Sequence, residues 1–203
     1  MFKRLESLKE QIVVATTDDG SEEPIVKICE KHGIPYFRGS ENDVLHRFTQ
    51  CAREFQTQSV VRLTSDCPLI DVDIVKEVVR YFEDNSFDYV SNVEERSFPR
   101  GLDCEVFSAQ KLFEADEKAN SKFEREHVTP YIRAHSQVGS FKDSEDNSNY
   151  RLTLDVQEDF NVIKAIYNEF KCRTDFSYKE LLELLKEKPH LSLANQNVQQ
   201  KSS

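Results

Sequence analysis

Short apolar runs alternate along this chain with longer stretches in which apolar residues recur every three or four positions, the two rhythms of buried strands and amphipathic helices. Val60, Val61, Leu63 and Thr64 form the clearest strand. It stops at Ser65-Asp66-Cys67-Pro68, and a helical spacing of Ile74, Val75, Val78, Val79 and Phe82 follows from Asp71. Upstream, Phe2, Leu5 and Leu8 predict a helix and Ile12–Thr17 a strand. Ser21-Glu22-Glu23-Pro24 opens the next helix, which Gly33 closes before a strand at Ile34–Phe37. Ser40 is placed to cap a helix bearing Val44, Leu45, Phe48, Cys51, Ala52 and Phe55. Downstream, strands are predicted at Asp88–Asn92, Leu102–Phe107 and Tyr150–Leu154. Helices are predicted from Ser108, through Phe123–Ile132, across Phe160–Phe170, and from the Ser177-Tyr178-Lys179-Glu180 capping box.

This order predicts an α/β sandwich, helices on both faces of a mostly parallel sheet. Residues 91–149 break the rhythm and predict a lobe inserted over the sheet edge, within one domain covering residues 1–188. From about Pro189 the chain turns polar and glutamine-rich, predicting a disordered tail over residues 189–203. The leucine-rich helix around Leu181 to Leu185 offers a face that docks either on its own sheet or on a second subunit, as in a homodimer.

Charge narrows the partners. The chain has 27 basic and 37 acidic residues, a formal charge of −10, which argues against nucleic acid or an anionic membrane. With no apolar run near ~20 residues and no signal core after Met1, a cytoplasmic protein is expected. The five cysteines form no Cys-x-x-Cys pair, so reduced packing thiols are expected rather than a zinc site.

Asp66 and Asp155 each follow an apolar run, at the strand end where open α/β sheets bind ligands. Two hard carboxylates there suit Mg²⁺, which takes one or two protein carboxylates and completes its shell with phosphate and water. The alternative is structural: Asp155-Val156-Gln157-Glu158 is itself a capping box, and Asp66 can order a turn. Arg100-Gly101-Leu102-Asp103-Cys104-Glu105 offers an anion fork beside hydroxyl acceptors, or a solvated turn. Arg125-Glu126-His127 lacks metal-ligand spacing, and Asp71-Val72-Asp73 has the spacing of some metal-dependent glycosyltransferases, although Asp71 also suits a helix cap.

Seven ordered motifs between Ile12 and Phe170 resemble the SpsF-type cytidylyltransferases, relatives of the CMP-Kdo and CMP-sialic acid synthetases named for spore coat polysaccharide biosynthesis. They are IVVATT, FRGSENDVLHRF, VVRLTSDCPLID, DYVSN, FPRGLDCEVF, EREHVTPYI and RLTLDVQEDF. The resemblance implies a three-layer α/β/α fold of the nucleotide-diphospho-sugar transferase type and a Mg²⁺-dependent reaction of CTP with a sugar such as an acidic ulosonic acid. It places the metal on Asp66 and Asp155, nucleoside near Gly39 and Ser40, and the sugar near Arg100, Glu105, Arg125 and His127. Family members begin with a strand and a loop of the form ARMGSTRLPGK, which this sequence lacks. An N-terminally truncated domain is therefore expected, the missing strand belonging between those at Ile12 and Val60. Two further readings remain: a glycosyltransferase of similar fold, and a non-catalytic partner protein.

Overall fold

The computed structural model describes residues 1–198 of the chain. A 3₁₀ helix over Phe2–Gln11, kinked at Leu5, leads into β1 (Val14–Thr16). Helix α1 (Glu23–His32) takes Pro24 in its first turn and ends on Gly33 in the left-handed conformation (φ 63°) that glycine adopts without strain. Strand β2 (Tyr36–Arg38) pairs in parallel with β1. Helix α2 (Val44–Glu54) is capped by Asp43, whose carboxylate accepts the His46 N–H at 3.0 Å. Ser40, expected as that cap, instead accepts the Asp43 N–H with its hydroxyl at 3.1 Å and so fixes the loop one step earlier.

Strand β3 (Ser59–Arg62) is followed by α3 (Val72–Glu83), where Asp71 accepts the N–H groups of Asp73 and Ile74. Next come β4 (Tyr89–Ser91), β5 (Glu105–Ser108) and helices α4 (Ala109–Lys118), α5 (Lys122–His127) and α6 (Pro130–Ala134). Strand β6 (Val138–Ser140) lies in the polar stretch for which no strand was predicted, and it pairs in parallel with β4. Two of the four strands in this sheet, ordered β3-β5-β4-β6, therefore come from residues 91–149, the stretch expected as an inserted lobe. Strand β5 runs against both its neighbours, so the sheet is mixed, with β3, β4 and β6 sharing a direction. Asn92 locks this reversal: its amide donates to the Leu102 carbonyl at 2.7 Å and accepts the Cys104 N–H at 2.9 Å.

Alternation along the strands divides the interior into two cores. Val90 and Val106 face α3, α7 (Gln157–Glu169) and α8 (Tyr178–Glu187), whereas Tyr89 and Phe107 face α2, α4 and α6. Helices thus cover both faces, giving the three layers expected. The sheet itself is split, for β1-β2 and β3-β5-β4-β6 are separate sets. A cavity of about 1080 Å³ lies between β1 and β3.

Two expectations change at the C-terminal end. Tyr150–Leu154 is not a strand, since its backbone bonds go to loops: Arg100 N–H to the Tyr150 carbonyl, Leu152 N–H to Arg100, and Leu154 N–H to Asp66. The tail expected to be disordered packs at its start as α9 (His190–Leu193), with Leu191 and Asn195 buried. Residues 199–203 lie outside the described residues. Among the described residues no helix is long and apolar enough to cross a membrane.

Candidate active site

The loop after β3 and the segment before α7 are tied together by backbone. The Leu154 N–H donates to the Asp66 carbonyl at 2.8 Å, and the Thr153 hydroxyl contacts both that carbonyl and the Asp66 carboxylate at 3.3 and 3.4 Å. Asp66 is half-buried and Asp155 exposed, so two carboxylate-bearing loops share one rim. The capping alternative for Asp155 does not hold. Asp159, fully buried, accepts the N–H groups of Asp155 and Val156 at 3.0 and 3.2 Å, leaving the Asp155 carboxylate outside the cap. Arg151 holds Asp155 through Nη2 at 2.7 Å while gripping Asp159 with Nε and Nη2 at 2.9 and 2.8 Å. Burial opposes ionisation of Asp159, but Arg151, the two N–H groups and Asn195 outweigh it and hold its pKa below the ordinary 3.8.

Arginines gather around this rim. Arg96 forks onto Asp103 at 2.7 and 2.9 Å. The Arg100 guanidinium makes no hydrogen bond among the described residues; its pKa is lowered by burial and by the neighbouring Arg96 charge. Gly101, at φ +96°, lets the 100–102 segment pass against the 151–153 backbone, where a Cβ would meet Leu152 and Thr153 atoms at 2.4–2.5 Å. This explains the glycine in FPRGLD. Cys67, beside Asp66, is buried with its thiol pushed up to about 12, a packing role rather than a nucleophile's.

A second recess, of about 200 Å³, is lined by Arg62, Arg96, Glu105, His127, Thr129 and Arg133 among others. Glu105 and His127 are thus brought together as expected, with different availability. The Glu105 carboxylate is buried and already accepts Arg62, the Tyr89 hydroxyl at 2.7 Å and the Thr129 hydroxyl at 2.7 Å. It positions Arg62 rather than offering itself to a ligand. His127 packs on Phe123, ring centroids 4.7 Å apart. Arg125 does not line the recess; it bonds Asp43 and Asp116, clamping α5 to α2 and α4. Gly39 and Ser40 sit at the end of β2, where Gly39 N–H meets the Thr16 carbonyl and Arg47 donates to the Ser40 carbonyl.

Three features here escaped sequence reasoning. Arg62, although inside the VVRLTSDCPLID motif, and Arg133, one residue past EREHVTPYI, lie within a strand and a short helix whose spacing gives neither a chemical role. The Arg62 Nε is buried without a hydrogen-bond partner among the described residues. Val128 adopts φ 70° and ψ −56°, closed by Thr129 N–H to the His127 carbonyl at 2.8 Å, a strained γ-turn that aims His127 and Thr129 into the recess. A β-branched residue there is a conformational outlier and the kind of strain that collects at ligand sites.

Asp71, the other metal candidate, is committed elsewhere. It caps α3, accepts the Tyr178 N–H at 2.8 Å and faces the buried Arg4 at 3.6 Å. Among the described residues no three acidic, histidine or cysteine side chains gather as metal ligands.

Comparison with known proteins bears on the same residues. The profile of the family described as Cytidylyltransferase matches residues 2–200. The chain is 33% identical over 209 residues to an uncharacterized protein of Methanocaldococcus jannaschii, covering 100% of this chain and 84% of that one. It is 32% identical over 187 residues to the spore coat polysaccharide biosynthesis protein SpsF of Bacillus subtilis, covering 89% and 77%. Among solved structures, a cytidylyltransferase from Leptospira borgpetersenii superposes with a TM-score of 0.91 at 33% identity, over 100% of this chain and 86% of that one.

Proposed function

Because the chain belongs to the cytidylyltransferase family, we propose that it transfers CMP from CTP to a sugar destined for surface polysaccharide, releasing pyrophosphate. A sugar hydroxyl oxygen attacks the α-phosphorus and gives up its proton to solvent, while the bond from that phosphorus to the bridging oxygen of the β-phosphate breaks and its electron pair leaves with pyrophosphate. The observation that carries this reading is the Leu154-to-Asp66 tie, which brings the Asp66 and Asp155 loops to one rim with Asp155 free of capping duty.

Both carboxylates fit Mg²⁺ by donor type, an ion that takes one or two protein carboxylates and completes its shell with phosphate and water. When bound, Mg²⁺ neutralises triphosphate charge that this acidic chain otherwise repels. Arg151 keeps the Asp155 carboxylate in place, and the Arg100 guanidinium, which makes no hydrogen bond among the described residues, brings a further positive charge near Arg151. The recess supports a sugar that carries a carboxylate, such as an ulosonic acid. Arg62, Arg96 and Arg133 line it, and the unpartnered Arg62 Nε supplies a buried donor that a ligand oxygen would satisfy. Gly39 and Ser40 are proposed for the nucleoside on family resemblance alone.

Pyrophosphate release from CTP, Mg²⁺ and a panel of neutral and acidic sugars tests the reaction. Asp66→Ala is expected to lower turnover by about 10²-fold or more, the scale of removing one charge-stabilising group. Unchanged release in that variant, or none from the wild-type chain with any sugar, rejects the assignment.

A further inference from the structure

The turn after α9, in the stretch expected from sequence to be disordered, reaches back to the segment that carries Asp155. Helix α9 follows α8 closely, packs on α7 and buries Leu191, and Asn195 just beyond it is 1% exposed. The side-chain amide of Asn195 donates twice, to the Arg151 carbonyl at 2.9 Å and to Asp159 Oδ1 at 2.8 Å. Both acceptors matter to the rim. Tyr150–Leu154 forms no strand, and Asn195 supplies the Arg151 carbonyl with a donor there. Asp159 also accepts Arg151 Nε and Nη2 and the N–H groups of Asp155 and Val156, and Arg151 Nη2 in turn holds the Asp155 carboxylate at 2.7 Å.

We propose that Asn195 is a positioning residue of the candidate active site: by clasping the Arg151 backbone and the Asp159 carboxylate together, it fixes the guanidinium that holds Asp155. This rests on the reading of Asp155 as a Mg²⁺ ligand in cytidylyl transfer. The geometry singles out the two donors rather than the bulk of the side chain. Asn195 Oδ1 is buried and makes no hydrogen bond among the described residues, so what the amide gives this pocket comes through its nitrogen. A leucine of similar size would fill the space and donate nothing, leaving a buried carboxylate oxygen and a carbonyl each short of a partner. Groups behind a metal ligand set its orientation, and losing one typically costs about 10- to 100-fold in metal affinity or activity.

Amide exchange followed by NMR on the full chain, wild type against Asn195→Leu, tests the clasp without reading activity. The Asp155 and Val156 amides should exchange ~10-fold or more faster in the variant, beyond any change at Tyr89–Ser91, the scale of one lost hydrogen bond to a charged group. In pyrophosphate release, the Mg²⁺ concentration giving half the maximal rate should rise ~10-fold, with turnover at saturating Mg²⁺ within about 3-fold of wild type. Asn195→Ala takes its place if the leucine variant does not unfold cooperatively. No acceleration at Asp155 and Val156, or an equal one at Tyr89–Ser91, overturns the proposal and makes Asn195 an ordinary packing residue. So does selective acceleration with an unchanged Mg²⁺ requirement, since the clasp then stops at Asp159. A wild-type chain that releases no pyrophosphate with any sugar rejects the reaction instead, and the exchange comparison still decides whether Asn195 holds this segment.

Discussion

Asp159 illustrates how one buried carboxylate sets the charge pattern of the rim. Its pKa is depressed in the fold by Arg151, Asn195 and two N–H groups, so its contribution to stability is complete above the unfolded aspartate value and is lost as pH falls through the lower folded value. Asp159→Asn should therefore cost about 3–5 kcal/mol in urea unfolding at pH 7, the scale for breaking a buried pair, and the gap to wild type should shrink below about pH 4. A constant gap from pH 7 to pH 3 would contradict this account. Gly101 sets a steric limit nearby. Gly101→Ala places a methyl within 2.5 Å of the 152–153 backbone at a positive φ, and a loss of about 2 kcal/mol or more is expected by chemical denaturation. The thiols offer a simpler readout. Cys172 is exposed, whereas Cys29, Cys67 and Cys104 are buried with raised pKa values and Cys51 is pushed up to about 11. Cys172 should dominate labelling by a thiol reagent at pH 8, the others reacting only on unfolding.

At the level of elements, α3 and its cap show why the Asp71-Val72-Asp73 pattern misleads. Asp71 satisfies two orphan N–H groups of α3, holds the start of α8 through Tyr178 and balances Arg4, which also donates to the Ile70 carbonyl at 2.6 Å and lies 4.1 Å over Phe176. Asp71→Ala should thus cost about 3–5 kcal/mol in unfolding free energy, more than a cap alone, because it strands a buried guanidinium. A loss below about 1 kcal/mol would show that Arg4 finds another partner. The Asp66 and Asp155 carboxylates differ from this case in that, among the described residues, neither caps a helix: Asp66 lies beside the Thr153 hydroxyl and Asp155 on Arg151. Sequence spacing could not separate these situations: all three residues begin a turn or helix, and only the partners of each side chain distinguish a cap from a ligand site.

Across the whole molecule, the separation of β1-β2 from the main sheet predicts uneven stability. Among the described residues no strand pairing joins the smaller sheet to the larger one, so amides in Val14–Thr16 and Tyr36–Arg38 should exchange several-fold faster than those in the buried Tyr89–Ser91 strand, which is paired on both sides. Equal protection would mean that the two sheets open as one unit.

Periodicity and caps were sufficient to fix helices α1–α4, α7 and α8, five of the strands, the three layers and the loop positions of Asp66 and Asp155, because these depend on residues close in sequence, whereas the break between α5 and α6 and the helix α9 escaped them. Strand β6, the bridge in place of a strand at Tyr150–Leu154, and the commitment of Glu105 and Arg125 to internal partners depend on contacts between residues far apart. Sequence spacing contains no record of which distant N–H, carbonyl or carboxylate reaches a group first. Tertiary structure alone decided that Asp159 would accept the N–H groups before α7, with Arg151 and Asn195 closed around it, and that Asp155 would stay outside this cap on the other side of Arg151, because both arrangements depend on groups brought together only by the fold.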